Sequence, residues 1–100
     1  MVLTGERVGS GMTLGFSSFA PHTAGAMLAH ETEELAYVVS GRGELRLDDG
    51  TAPYGPGDTL YVPAGAWHAV VNTGDEPVTM VFAFPHPDYP PTERRDEDGA

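Results

Sequence analysis

The chain has 100 residues, 40% of them hydrophobic, which is material for one core and not for two. Fifteen Asp and Glu against five Arg give a formal charge of −10, with no basic stretch to follow a phosphate backbone or an anionic lipid surface, so neither nucleic acid nor membrane is an expected partner. The absence of cysteine excludes disulfides, thiolate-bound zinc and a thiol nucleophile, and leaves His, Asp and Glu to hold any metal.

Thirteen Gly and nine Pro recur at short intervals, so no window long enough for a helix stays both unbroken and apolar at helical period. The chain therefore reads as all-β. Residues 2–8 have strand composition, weakened by Gly5 and Gly9. Residues 12–20 make the first full strand, and the stretch carrying Leu28, His30 and Thr32 is extended ahead of a strand over 33–40. Residues 43–47 alternate, with Glu44 and Arg46 outward against Leu45 and Leu47 inward. They run into Asp48-Asp49-Gly50, a hairpin turn whose glycine accepts positive φ. A second turn, Gly55-Pro56-Gly57-Asp58, leads into a strand over 58–62, and Pro63 to Gly65 turns the chain into a strand over 66–72. The turn Asn72-Thr73-Gly74-Asp75 precedes the last strand, 77–84. Many short strands at this spacing predict a sandwich or a barrel.

From Pro85 onward the chain is rich in proline, then runs through six charged residues from Glu93 to Asp98 with almost nothing apolar to bury. The expectation is one domain over 1–89 and a flexible acidic tail over 90–100. The first residues lack the basic and apolar regions of a signal peptide, and no apolar run approaches the roughly 20 residues of a membrane helix, so a cytoplasmic location is expected.

His30 and Glu34 are four residues apart in a segment read as extended, and even spacing in a strand places both side chains on one face, together with Leu28 and Thr32. His68 shares a face with Val70 and Asn72, opposite Trp67, Ala69 and Val71. Two neutral imidazoles and one carboxylate converging inside a β-fold are a set that holds a divalent metal. On spacing alone, a pair of hydrogen-bonded core histidines beside a surface carboxylate accounts for the same residues. His22, in a Pro-His-Thr turn, and His86, past the last strand, are expected to be exposed, and Glu31 and Glu33 to face outward. Trp67 and Tyr37 have the parity that packs against a neighbouring sheet or a second subunit. Met27, Tyr61, Phe82 and Phe84 are candidates for a pocket wall, and each serves equally as ordinary core.

Gly57, Pro63, Gly65, His68 and Asn72 resemble the second motif of the cupin superfamily at every fixed position, a match unlikely by accident. The first cupin motif is met in part. Glu34 and Gly41 have its spacing and His30 precedes Glu34 with three residues between, but Leu28 occupies the place of its first histidine, and His22 stands where the family usually has glycine. The resemblance implies a small jelly-roll β-barrel holding one divalent transition metal on His30, Glu34 and His68, with Leu28, Thr32, Tyr61, Met27 and Phe82 around the pocket. A set of two His and one carboxylate is that of non-haem iron oxygenases, so Fe(II) is favoured, with Mn, Ni or Zn as alternatives. The implied activity is oxygen-dependent chemistry on a small organic substrate. Metal-dependent isomerase, epimerase, lyase or cyclase chemistry, a non-catalytic small-molecule barrel, and metal-free base catalysis by His30 or His68 are the competing readings. A homodimer is the expected assembly.

Overall fold

The computed structural model describes residues 2–3 and 9–95, and these form an all-β fold without a helix. The layering follows from alternation. In Val78–Phe84 the residues Val78, Met80, Phe82 and Phe84 are buried and those between them are half-exposed, so one face of the strand is core. This strand, β10, lies in a five-stranded antiparallel sheet in the order β1-β2-β10-β5-β8, built from β1 (Val2–Leu3), β2 (Thr13–Phe19), β5 (Glu34–Ser40) and β8 (Thr59–Val62). The second sheet runs β11-β4-β9-β6-β7, from β4 (Met27–His30), β6 (Gly43–Leu47), β7 (Gly50–Tyr54), β9 (His68–Asn72) and β11 (Thr92–Arg95), with the short β3 (Thr23–Ala24) also paired to β9.

The inner faces meet in one cluster of Ala36, Val38, Leu45, Tyr54, Val62, Val78, Met80, Phe82 and Phe84. Gly15 stands opposite Phe82 in register, and a Cβ there would fall 2.1 Å from the tip of the ring, so glycine makes room for this aromatic against β2. Asn72, the last residue of the matched motif, is fully buried and does structural duty. Its side-chain amide donates to the carbonyls of Phe19, Ala20 and Glu76, and its Oδ1 accepts the N–H of Gly74, which ties the 73–76 turn to the end of β2.

Six expected strands are present within two residues of their expected ends. The Asp48-Asp49-Gly50 hairpin is also present, with Leu47 opposite Gly50. Its return strand β7 carries Gly50 and Pro53, which mask it in the sequence. Pro53 is tolerated because β7 is the edge of its sheet. Of the expected N-terminal strand, residues 2–3 pair with β2 and residues 4–8 lie outside the described residues.

The expectation of a frayed chain beyond residue 89 is corrected by β11, which pairs with β4 through Thr92 opposite His30 and Arg94 opposite Leu28. All four β11 residues are exposed, so no apolar pattern announces the strand, and backbone pairing to a sheet edge holds it instead. Pro90 is buried, and the Glu31 N–H donates to the Pro91 carbonyl. Residues 96–100 lie outside the described residues. Among those described, no helix is long and apolar enough to cross a membrane.

Candidate metal centre

His30 and Glu34 do not share a strand. β4 ends at His30, a bend occupies residues 31–33, and Glu34 opens β5 in the other sheet. The two side chains meet because the sheets face each other, with His68 at the start of β9 completing the set. Among the described residues these three form the cluster able to hold a metal, with one ligand atom from each lying within 4.8 Å of the others. Glu34 Oε1 is 3.4 Å from both His30 Nε2 and His68 Nε2, and the side chains are only 16%, 4% and 6% exposed, respectively. The imidazole centroids are 4.9 Å apart, and the Phe84 ring meets His30 edge-on with centroids 5.0 Å apart.

The hydrogen bonds on the far side of each ring fix which nitrogen faces the centre. His68 Nδ1 lies 3.1 Å from the Ala66 carbonyl, which can only accept, so Nδ1 carries the proton and the neutral ring presents an Nε2 lone pair. His30 Nδ1 lies 2.7 Å from the Thr92 hydroxyl. Two nitrogen lone pairs and a carboxylate oxygen thus converge at one buried point. That donor set repels itself unless a cation sits within it, and it suits a divalent first-row metal. Core histidines satisfied only by each other would not leave both Nε2 atoms aimed at one carboxylate.

Without metal, protons take the cation's place. Burial pushes the Glu34 carboxyl up, but hydrogen bonds and charge from His30 and His68 outweigh it and hold the group below its ordinary value. Burial pushes the His68 imidazole down, but the Glu34 carboxylate, with the Ala66 and Leu28 carbonyls, more than reverses this and raises it. A raised imidazole stabilises the fold fully below its ordinary pKa of 6.5 and loses that contribution as pH rises through the folded value. A lowered carboxyl contributes fully above its ordinary 4.5 and loses it as pH falls through the folded value. In chelator, the melting temperature is therefore expected to peak between pH 4.5 and 6.5 and to fall on both sides. A melting temperature that climbs steadily into the alkaline range would contradict this coupling.

The other sequence-predicted residues divide by register. Leu28 stands directly opposite His68, on the same face and half-buried, at the place where a further histidine is absent. Phe82 lines the cavity beside Glu34, of about 40 Å³, with Leu45, Val62, Val70 and Met80. Met27 is buried but lies on the opposite face of β4 from Leu28 and His30, outside the pocket. Tyr61 is corrected too. It pairs with Leu35 on the outer face and is 55% exposed, because Leu60 and Val62 take the inward positions. Thr32 sits in the bend, bonded to its neighbour's carbonyl, and does not reach the site.

Trp67 faces away from His68 and carries the Arg95 guanidinium 4.7 Å above its ring. Tyr37 is on the outer face, as its parity predicts. His22 is exposed and paired with Asp75 at 2.7 Å, whereas His86, expected to be exposed, is half-buried with its ring engaged by the Asp88 backbone. Two residues absent from the sequence reading belong to the site. Thr92 touches His30, and the Tyr89 ring packs against His30, Phe82 and Phe84 at 6.4, 5.7 and 5.2 Å. Tyr89 is the last residue of the expected domain, and Thr92 lies in the segment whose composition reads as tail.

Residues 15–84 match the family model of the cupin domain. The chain belongs to the cupin family. Similar proteins include SchB of Streptomyces halstedii, 34% identical over 88% of this chain and 71% of its own length. The 5-nitrosalicylic acid 1,2-dioxygenase of a Bradyrhizobium species is 31% identical over 80% of this chain and 44% of its own. Among solved structures, the oxalate decarboxylase of Bacillus subtilis, a protein with Mn(II) centres, superposes with a TM-score of 0.83 at 25% identity, covering 93% of this chain and 26% of that one. The chain spans about half the length of several other curated relatives it matches. As a cupin, it combines the expected barrel with a His/His/Glu cluster fit for a divalent metal.

Proposed function

We propose that this cupin is a metal-dependent enzyme that binds one Fe(II) on His30, Glu34 and His68 and acts with dioxygen on a small organic substrate. The observation that carries the reading is the pair of buried Nε2 atoms, each 3.4 Å from the same Glu34 carboxylate oxygen. Bound there, the metal would supply redox chemistry, and three protein ligands leave it open positions for reactants. The chain's own residues supply the setting. Glu34 contributes the one negative charge, which offsets part of the metal's charge in a buried site. Phe82, Met80 and Val62 keep water from its inner side, where the cavity is only about 40 Å³, and the cavity of about 470 Å³ bordered by His30, Trp67 and Thr92 has room for the substrate. Burial, together with the negative Glu34, raises the Tyr89 phenol above its ordinary value, and its ring packs against His30 and Phe84. Similarity to a dioxygenase over most of the chain supports the oxidative choice.

Anaerobic titration with Fe(II), Mn(II), Ni(II) and Zn(II), followed by oxygen uptake with salicylates and short dicarboxylates, tests the proposal. Oxygen consumption by the Fe(II) form alone supports it. Turnover without oxygen on several metals favours an isomerase or lyase, metal binding without turnover a binding module, and no binding at micromolar metal overturns the site.

We further propose that the protein is a homodimer joined through the outer face of the first sheet. Leu14, Phe16, Leu35, Tyr37, Val39 and Tyr61 share that face, each about half exposed, and Val81 and Ala83 run between them. Monomers rarely leave so contiguous an apolar surface bare. Phe16→Glu is expected to give a folded monomer by light scattering where the parent chain is a dimer. A monomeric parent chain would refute the assembly.

A further inference from the structure

The hydroxyl of Thr92 has two contacts, and together they fix its hydrogen. Thr92 Oγ1 lies 2.9 Å from the Pro90 carbonyl, which can only accept, so the hydroxyl hydrogen is directed there. What remains on Oγ1 is lone pairs, and His30 Nδ1 lies 2.7 Å from them. Nδ1 must therefore be the donor, which leaves Nε2 of the neutral ring unprotonated and facing Glu34. A chain of three atoms, Pro90 carbonyl to Thr92 hydroxyl to His30 ring, thereby sets both the tautomer and the orientation of a prospective metal ligand.

β11 holds this chain in place from both sides. On the inner face, Thr92 is opposite His30 in register. On the outer face, the Arg95 guanidinium lies over Trp67 and pairs with Asp48, and the Pro91 carbonyl accepts the Glu31 N–H immediately after His30.

We propose that Thr92 is a positioning residue of the metal centre, so that the C-terminal strand is part of the site and not an appendage to the barrel. This rests on His30 being a metal ligand, the reading given above. Groups that orient a ligating imidazole through its second nitrogen typically matter 10- to 100-fold, by order of magnitude about the effect expected here.

Thr92→Val keeps shape and strand propensity while removing the acceptor, and Thr92→Ser keeps the acceptor. In the full chain, Thr92→Val is expected to weaken Mn(II) binding by roughly 10- to 100-fold, and Thr92→Ser to stay within about threefold of the parent. In metal-free protein, at a pH where imidazoles are neutral, long-range ¹⁵N spectra are expected to show His30 as the Nδ1–H tautomer in the parent and the Ser variant. In the Val variant the proton is expected to move to Nε2, where Glu34 can accept it. Unchanged Mn(II) affinity in Thr92→Val, loss of affinity in both variants alike, or an Nδ1–H His30 that persists in Thr92→Val would each overturn the proposal. A parent chain that binds no metal would end the functional reading instead, and the tautomer spectra would still decide the role of Thr92.

Discussion

Glu34→Ala is expected to reduce the affinity for Mn(II) or Fe(II) by at least about 100-fold, more than the 10- to 100-fold typical of groups that only orient a ligand. The reason is charge as well as coordination. Glu34 is the single carboxylate in the cluster, and its oxygen is equidistant from both imidazoles, so its removal takes away the only anionic donor and the group that orders the two rings. His68→Ala should lose affinity to a similar degree, while His22→Ala, exposed and paired with Asp75, should leave it unchanged. Melting temperature reads the same loss independently. A metal that binds only the folded chain adds about 2.7 kcal/mol at a concentration of 100 times Kd. For a domain of this size that is a rise of roughly 10–20 °C. The parent chain should show it and Glu34→Ala should not. An equal rise in both would place the metal elsewhere.

Gly43→Ala is expected to cost the fold heavily. Gly43 lies opposite Tyr54 in the β6–β7 pair, and the Tyr54 hydroxyl passes over it to donate to the Val71 carbonyl at 2.9 Å. A Cβ at 43 would fall 2.0 Å from that carbonyl oxygen and 2.7 Å from the Tyr54 hydroxyl. The obstacle is backbone in the adjacent strand, which no side-chain rotation relieves. The cost is about 3 kcal/mol, at the upper end of overpacking effects. That corresponds to a drop of roughly 12–24 °C. The double variant with Tyr54→Phe should recover little, since the Val71 carbonyl remains in the way. Gly11→Ala, with open space around it, should stay near the parent value by calorimetry. A Gly43→Ala melting temperature within a few degrees of the parent would show that β6 and β9 can separate at this point.

The barrel was legible because its long strands alternate. Val78, Met80, Phe82 and Phe84 announce an inward face without any knowledge of partners. The ligand set was legible for a partly mistaken reason. His30 and Glu34 do face each other, but across the gap between two sheets, and a bend at 31–33 replaces the continuous strand that even spacing suggested. The spacing that brings them together belongs to the turn between sheets, which carries no periodic signal.

Tyr61 failed because Leu60, Tyr61 and Val62 are all apolar, so local alternation is silent and only pairing with β5 decides which residue turns outward. Met27 could have been excluded by its odd offset from His30, which puts it on the other face of β4. Thr92 and Tyr89 were beyond reach. Their segment is held by backbone pairing with β4 and by contacts with His30, more than fifty positions away in sequence, and composition registers neither.

The second sheet ends in Pro53 on one side and in Glu93, Arg94 and Arg95 on the other. Pro53 has no N–H to offer an incoming strand, and charged residues along β11 make that border a poor template. Lateral growth of this sheet into a filament is thereby blocked at both borders. In the proposed dimer, contact between copies would fall to the broad apolar face, where a self-complementary patch would close on a two-fold axis and stop at two.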